Sequence, residues 1–235
     1  MAYTSHLIPV ESLRLLVFDL DGTLIDSRKD LVNSVNATLG HLGRPALPDN
    51  VIASYIGDGA GMLVRRALGD PDDEAFVESA LTYFLDYYRE HKLDHTHVYP
   101  GVLESLEALR VGTDGSRRQM AVLTNKPIGP SQAICDALGL SPYFFRIYGG
   151  NSFSTKKPDP QGLKALIREA GVDPFETVMI GDSEIDVQTA RSAGGWALGC
   201  RFGLSPHTLD AAEPDCLVDS AFDWADALDA AKISR

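Results

Sequence analysis

The chain is poor in cysteine, poor in positive charge and free of any long apolar run. Its three cysteines, Cys135, Cys200 and Cys216, are odd in number and widely spaced, with no CxxC pair. That excludes a disulfide framework or a thiolate metal site and predicts three small buried apolar side chains in a reducing compartment. Lys and Arg total 21 against 33 Asp and Glu, for a formal charge of −12. The basic residues make only short pairs such as Arg65-Arg66 and Arg117-Arg118. A chain that binds a phosphate backbone carries a basic face, so no nucleic-acid partner is expected. No stretch approaches the roughly 18 apolar residues of a membrane helix. Residues 1–16 lack a basic flank followed by an apolar core, so no signal peptide is expected and the predicted location is cytoplasmic. Internal repeats and low-complexity tracts are also missing.

What the chain does have is 44% hydrophobic residues over 235 positions, enough for one large domain or two modest ones. Short apolar runs at 14–20, 119–124, 144–148, 177–180, 196–200 and 216–218 read as buried strands. Helical patterns begin between them near Gly101, Gly129, Pro160, Glu184, His207 and Ser220. This alternation predicts an α/β fold with a doubly wound parallel, Rossmann-like sheet. One interval breaks the rhythm. From 27 to 98 no strand pattern stands out, and the segment is far longer than an ordinary βα connection. It reads as helices at 28–42, 49–55, 59–68 and 72–92. In the last, Val77, Leu81, Phe84, Leu85 and Tyr88 form one stripe, which predicts core packing. The expected organisation is an α/β core of residues 1–26 and 99–235, with an all-helical cap of residues 27–98 inserted after the first strand.

The first strand ends in Asp19-Leu20-Asp21-Gly22-Thr23. Side chains alternate along a strand, so Asp19 and Asp21 leave it on one side as a crowded pair. Like charges that close call for a cation or a shared proton. A divalent metal, with one carboxylate attacking and the other handling a proton, fits that need. An EF-hand loop is excluded, since its sixth and twelfth positions would be Leu24 and Asp30 rather than Gly and Glu. Two further strands end in polar side chains, at Thr124 and at Asp182, and parallel strands put all three ends on one rim, where ligands bind. Asp186 follows Asp182 by one helical turn on the same face. Lys157, next to Pro158 and just before a helix, is placed as a fixed cation at that rim. The glycines near 57–61 are not a dinucleotide fingerprint, because Met62 holds the final glycine position. His95 and His97 form an HxH without partner ligands in register, which predicts an exposed linker.

The order DxDGT, TN, KPxP and GDxxxD resembles the haloacid dehalogenase-like superfamily of phosphotransferases, in the subgroup with a helical cap. The resemblance covers nearly the whole chain. It implies that Asp19 is the nucleophile forming an aspartyl-phosphate and Asp21 the general acid and then base. It also implies that Thr124 and Lys157 hold phosphoryl oxygens, and that Mg2+ is bound by Asp19, the Asp21 backbone carbonyl and Asp182, with Asp186 in support. Thr124-Asn125-Lys126-Pro127, Tyr55-Ile56-Gly57-Asp58-Gly59 and Tyr99-Pro100-Gly101-Val102 look like the phosphoglycolate phosphatase-like subgroup. The implied partner is a small phosphorylated metabolite, 2-phosphoglycolate, with Asn125, Gly57, Gly59 and Arg66 added to the substrate contacts, and the implied state is a monomer or homodimer. A Gly-rich turn opening a helix offers backbone N–H groups to a carboxylate, and Arg65 or Arg66 would reinforce them. Residues 112–118 and 154–156 depart from the family's usual lengths and lead-in. Dehalogenases lack the second carboxylate that Asp21 supplies. Sugar-phosphate mutases and inorganic pyrophosphatases of the same superfamily remain open. A phosphoacceptor receiver is disfavoured, because there the acceptor Asp lies on a later strand and Lys comes last.

Overall fold

All four residues of the first long strand, Leu15–Phe18, are fully buried. A strand needs apolar side chains on both faces only when layers cover both faces. The computed structural model, which describes residues 3–4, 8–112 and 115–228, shows that arrangement. Its strands are β1 (Tyr3–Thr4), β2 (Leu15–Phe18), β3 (Ile25–Asp26), β4 (His97–Val98), β5 (Gln119–Leu123), β6 (Arg146–Tyr148), β7 (Thr177–Gly181), β8 (Trp196–Cys200) and β9 (Cys216–Val218). The main sheet has the order β1-β9-β8-β7-β2-β5-β6 and is parallel except for β1, which pairs antiparallel to β9.

Alternation along β2 sends Leu16 and Phe18 into one apolar cluster and Leu15 and Val17 into the other. The first cluster is closed by α5 (Val102–Leu109), α6 (Ile128–Ala137) and α10 (Asp223–Ala227), through Val102, Leu106, Ile134 and Trp224. The second is closed by α7 (Gln161–Ala170), α8 (Glu184–Ala193) and α9 (Leu209–Ala212), through Leu163, Leu166, Val187 and Leu209. All three cysteines are buried and free, as expected of small apolar side chains.

Between β3 and β4 the chain forms α1 (Arg28–His41), α2 (Asp49–Ala53), α3 (Ala60–Ala67) and α4 (Glu74–His91). Val35, Leu63, Val64, Val77 and Phe84 knit these helices into the first cluster. The α4 stripe does more than pack: Phe84, Leu85 and Tyr88 also line a cavity between the helices and the sheet. None of the described helices is long and apolar enough to cross a membrane.

Three short strands were not legible as strands. Ile25–Asp26 and His97–Val98 pair antiparallel, so the two chain crossings into the helical unit are tied together. His95 and His97 have exposed side chains, but their segment is no slack linker. Asp30, in the first turn of α1 and 1% exposed, accepts hydrogen bonds from His95 N (3.0 Å), Thr96 N (2.8 Å) and Thr96 Oγ1 (2.7 Å). A carboxylate is also favoured by the positive end of the α1 dipole. In the 112–118 connection, Gly112 N donates to Ser116 O and Val111 bridges Arg117, while 113 and 114 lie outside the described residues.

Replacing Asp30 with Ala leaves those three donors without their acceptor. The expected cost is about 2–4 kcal/mol of unfolding free energy, since each buried unmade hydrogen bond costs about 1–3 kcal/mol. Urea denaturation measures it, and a loss below about 1 kcal/mol contradicts the anchoring role of Asp30.

Candidate active site

The sheet register brings distant carboxylates together. Phe18 is level with Val122 on one side and Ile180 on the other, so Asp19, Thr124 and Asp182 emerge on one rim at the carboxyl ends of β2, β5 and β7. Asp19 N donates to Ile180 O at 2.9 Å, which continues the ladder one residue past β2. A cavity opens between this rim and the helical unit. Asp19, Asp21, Thr124, Asn125, Lys126, Asp182, Ser183 and Ser205 line it from the core, and Ile56, Gly57, Gly59, Leu63, Phe84, Leu85 and Tyr88 from the helices.

Asp186 sits at the third position of α8, where its Oδ2 accepts from Ser183 N at 3.2 Å and Ser183 Oγ at 2.8 Å, a reciprocal cap. Its Oδ1 is left for Lys157 Nζ at 2.6 Å, and the same ammonium lies 2.9 Å from Asp19 Oδ1. Asp182 Oδ2 accepts from Leu204 N (2.6 Å) and Ser205 N (2.9 Å). Gly22, at φ +88°, lets the loop after β2 close on Asp182: a Cβ there would stand 2.3 Å from Asp182 Oδ2. Asp19, Asp182 and Asp186 each offer an oxygen within 4.8 Å of the others, and all are buried. Three carboxylates against one ammonium are short of positive charge, and an all-oxygen donor set suits a hard cation such as magnesium. The residues fit that ion.

Electrostatics agree. Burial, the largest influence, pushes Asp19 up to about 6 against the pull of Lys157, with Asp186 and Asp21 pushing the same way as burial. Burial and then Asp186 and Asp19 push Asp182 up to about 8, while the Ser205 and Leu204 amides pull it down. Burial disfavours the Lys157 ammonium, but Asp186 and Asp19 outweigh it and hold the group above its ordinary value.

Asp21 has a different set of neighbours. Its Oδ1 accepts from Ser27 Oγ at 2.5 Å and from Lys126 Nζ at 2.9 Å, and its Oδ2 is 3.2 Å from the same ammonium. Lys126 is buried, and its amine stands 4.6 Å over the Tyr88 ring. Sequence reasoning quoted Lys126 beside Thr124 and Asn125 but assigned it no role. Its position two residues past a strand-end Thr was the available signal. For Ser27, and for the 204–205 amides, no periodicity or motif pointed to the site.

The remaining expected contacts divide. Asn125 Nδ2 donates to Gly57 O and Lys157 O, both at 3.1 Å, and so joins the helical unit to the Lys157 loop. Lys156 Nζ donates to Asp58 O at 2.5 Å. Gly59, at φ +86°, approaches so closely that a Cβ would lie 2.9 Å from Asn125 O. Gly57 and Gly59 line the cavity. Arg66 does not: its guanidinium pairs with Asp58 at 2.5 Å and reaches Tyr55 O at 3.3 Å. Arg65 is likewise engaged, by Glu74 at 2.5 Å.

The family described as haloacid dehalogenase-like hydrolase matches residues 16–198. A protein of Pseudomonas putida named phosphoglycolate phosphatase is 40% identical over 229 residues, covering 93% of this chain and 81% of its own length. One of the same name from Neisseria meningitidis is 38% identical over 220 residues, covering 90% and 92%. A crystal structure described as a predicted phosphoglycolate phosphatase from Haemophilus somnus superposes with a TM-score of 0.83 at 31% identity, covering 95% of this chain and 99% of that one.

The raised carboxyls give a signed pH dependence. Folding holds protons on Asp19 and Asp182 that the unfolded chain releases near 3.8, so without a cation these groups cost stability progressively as pH rises through about 6 and about 8. A divalent cation needs the ionised forms and must displace those protons. Magnesium should therefore raise the melting temperature more at pH 8 than at pH 6, and Asp182→Asn should remove most of the increment. A magnesium increment that is equal at both pH values contradicts this placement of the cation.

Proposed function

The chain belongs to the haloacid dehalogenase-like hydrolase family, and on that premise we propose that it is a magnesium-dependent phosphatase of small phosphate monoesters, 2-phosphoglycolate among them, working through an aspartyl-phosphate. The observation that carries the reading is the pairing of Asp19 and Asp21 on one cavity floor in two unlike environments. Asp19 faces Lys157, Asp182 and Asp186, whereas Asp21 faces Ser27 and Lys126. Two carboxylates in different settings suit two different tasks. The names borne by relatives at 40% and 38% identity support the substrate.

In the first half-reaction an Asp19 oxygen bonds to phosphorus as the ester oxygen leaves, and Asp21 gives that oxygen its proton. In the second, Asp21 takes a proton from water, the water attacks phosphorus, and phosphate departs as the Asp19 carboxylate is restored. Lys157 neutralises charge on the attacking side, and the Thr124 hydroxyl is placed to donate to a phosphoryl oxygen. Magnesium, when bound, would be held by Asp19, Asp182, Asp186 and the Asp21 backbone carbonyl, and would supply Lewis-acid stabilisation of the phosphoryl charge. Residues 27–98 would act as a cap whose apolar wall keeps bulk water from the phosphoenzyme.

Turnover of a panel of monoesters with and without magnesium tests the reading. Phosphoglycolate should rank among the best substrates, and chelation should abolish its hydrolysis. In Asp21→Asn, phosphoenzyme formation from alkyl phosphates should slow about 10²–10⁴-fold, the usual worth of general acid catalysis, and far less from aryl phosphates, whose leaving groups need no proton. Full activity in chelator, or equal slowing for both ester types, contradicts the mechanism.

A further inference from the structure

The core motifs account for the phosphoryl end of a substrate and leave open what meets its other end. Among the described residues, Lys126 is the only Lys or Arg that lines the cavity. Facing it across the cavity are mainly apolar groups of the helical unit, Ile56, Leu63, Phe84 and Leu85. The two cations of the helical unit nearest in sequence to the glycine turn, Arg65 and Arg66, are turned to Glu74 and Asp58. The turn itself meets the core through carbonyl oxygens, Gly57 O to Asn125 and Asp58 O to Lys156, and a carbonyl oxygen repels an anion. With Lys157 engaged by Asp19 and Asp186 at the phosphoryl end, a second anionic group on a substrate thus has one side-chain cation to go to. That cation is held: its amine spans both oxygens of Asp21 at 2.9 and 3.2 Å and rests 4.6 Å over the Tyr88 ring, with 4% of the side chain exposed.

We propose that the Lys126 ammonium receives the carboxylate of the substrate and confines efficient hydrolysis to phosphate esters whose carboxylate is one carbon from the leaving oxygen. This rests on the phosphatase reading above, and it adds a distance rule. Asp21 must reach the leaving oxygen, and Lys126 touches Asp21. A group bound by Lys126 therefore sits close beside that oxygen. When the carboxyl carbon is bonded to the carbon bearing the leaving oxygen, standard bond lengths keep a carboxylate oxygen within about 3 Å of it. One more methylene moves the carboxylate out of that reach or forces a bent chain. Lys126 is a specificity residue on this account, because its amine bonds to the part of the substrate that does not react.

Three esters separate this from a role confined to positioning Asp21: phosphoglycolate, ethyl phosphate (methyl in place of carboxylate) and the phosphate of 3-hydroxypropionate (one added methylene). Their kcat/KM values are measured for the wild type, Lys126→Met and Lys126→Arg. The wild type should prefer phosphoglycolate to each of the others by at least about 30-fold. Lys126→Met should cut the phosphoglycolate to ethyl phosphate ratio by about 30-fold or more, the worth of one charge-assisted hydrogen bond, with KM carrying most of the change. Lys126→Arg, which keeps the charge, should recover part of the ratio. If Lys126→Met lowers both esters alike, Lys126 serves only Asp21 and the inference is overturned while the phosphatase reading stands. A wild type that accepts ethyl phosphate or the longer acid as readily as phosphoglycolate overturns it without any variant, so misfolding of Lys126→Met cannot protect it. A wild type that hydrolyses none of the three removes the phosphatase reading itself.

Discussion

Carboxylates from two strand ends and the first turn of a helix crowd within 4.8 Å of one another in the interior, and their mutual repulsion is the constraint around which the core is built. Ionised groups this close and this buried are costly unless neutralised. The chain answers with fixed donors: the 204–205 amides on Asp182, Ser183 on Asp186, and the Lys157 ammonium between Asp186 and Asp19. These offset part of the cost and leave Asp19 and Asp182 pushed up to about 6 and about 8, by burial first and then by neighbouring carboxylates. What remains is a shortage of positive charge that a divalent cation would fill. Parallel strand register creates the deficit and also places it where a ligand enters.

The helical unit answers a second constraint, access. Its two chain crossings are pinned by the β3–β4 pair and by Asp30, while its lip reaches the core through Asn125, Lys156 and the Gly59 approach. Pinned crossings with a polar lip would suit the cap role proposed above, in which the unit opens and closes over the site. Lys156 at that lip comes from the segment whose lead-in differs from the family's usual form. The departure lies at the rim of the cavity rather than at the phosphoryl site.

Much of this was legible in the sequence because the chemistry is tied to strand ends. Apolar runs ending in Asp19, Thr124 and Asp182 announce both a buried parallel sheet and its ligand-binding edge, and the absence of a strand pattern through most of 27–98 announces the helices. Two-residue strands carry too few side chains for any periodicity, so the 95–98 segment reads as a linker in the sequence, and nothing there shows that Asp30 will anchor it. Partners chosen by tertiary approach were equally hidden. Nothing local says that Arg66 will turn to Asp58, that Ser27 will cap Asp21, or that Lys126 will reach back 105 residues to Asp21. Long flexible side chains take their partners from the fold.

The central claim is that Asp19 attacks phosphorus. Rapid acid quench during steady-state turnover of phosphoglycolate with magnesium, followed by peptide mass spectrometry, tests it most directly. The account predicts one phosphoryl group on the peptide containing Asp19, absent in Asp19→Asn and accumulating in Asp21→Asn with an aryl phosphate. A phosphoryl group on another residue, or turnover without any phosphopeptide in a variant whose second step has been slowed, would contradict it.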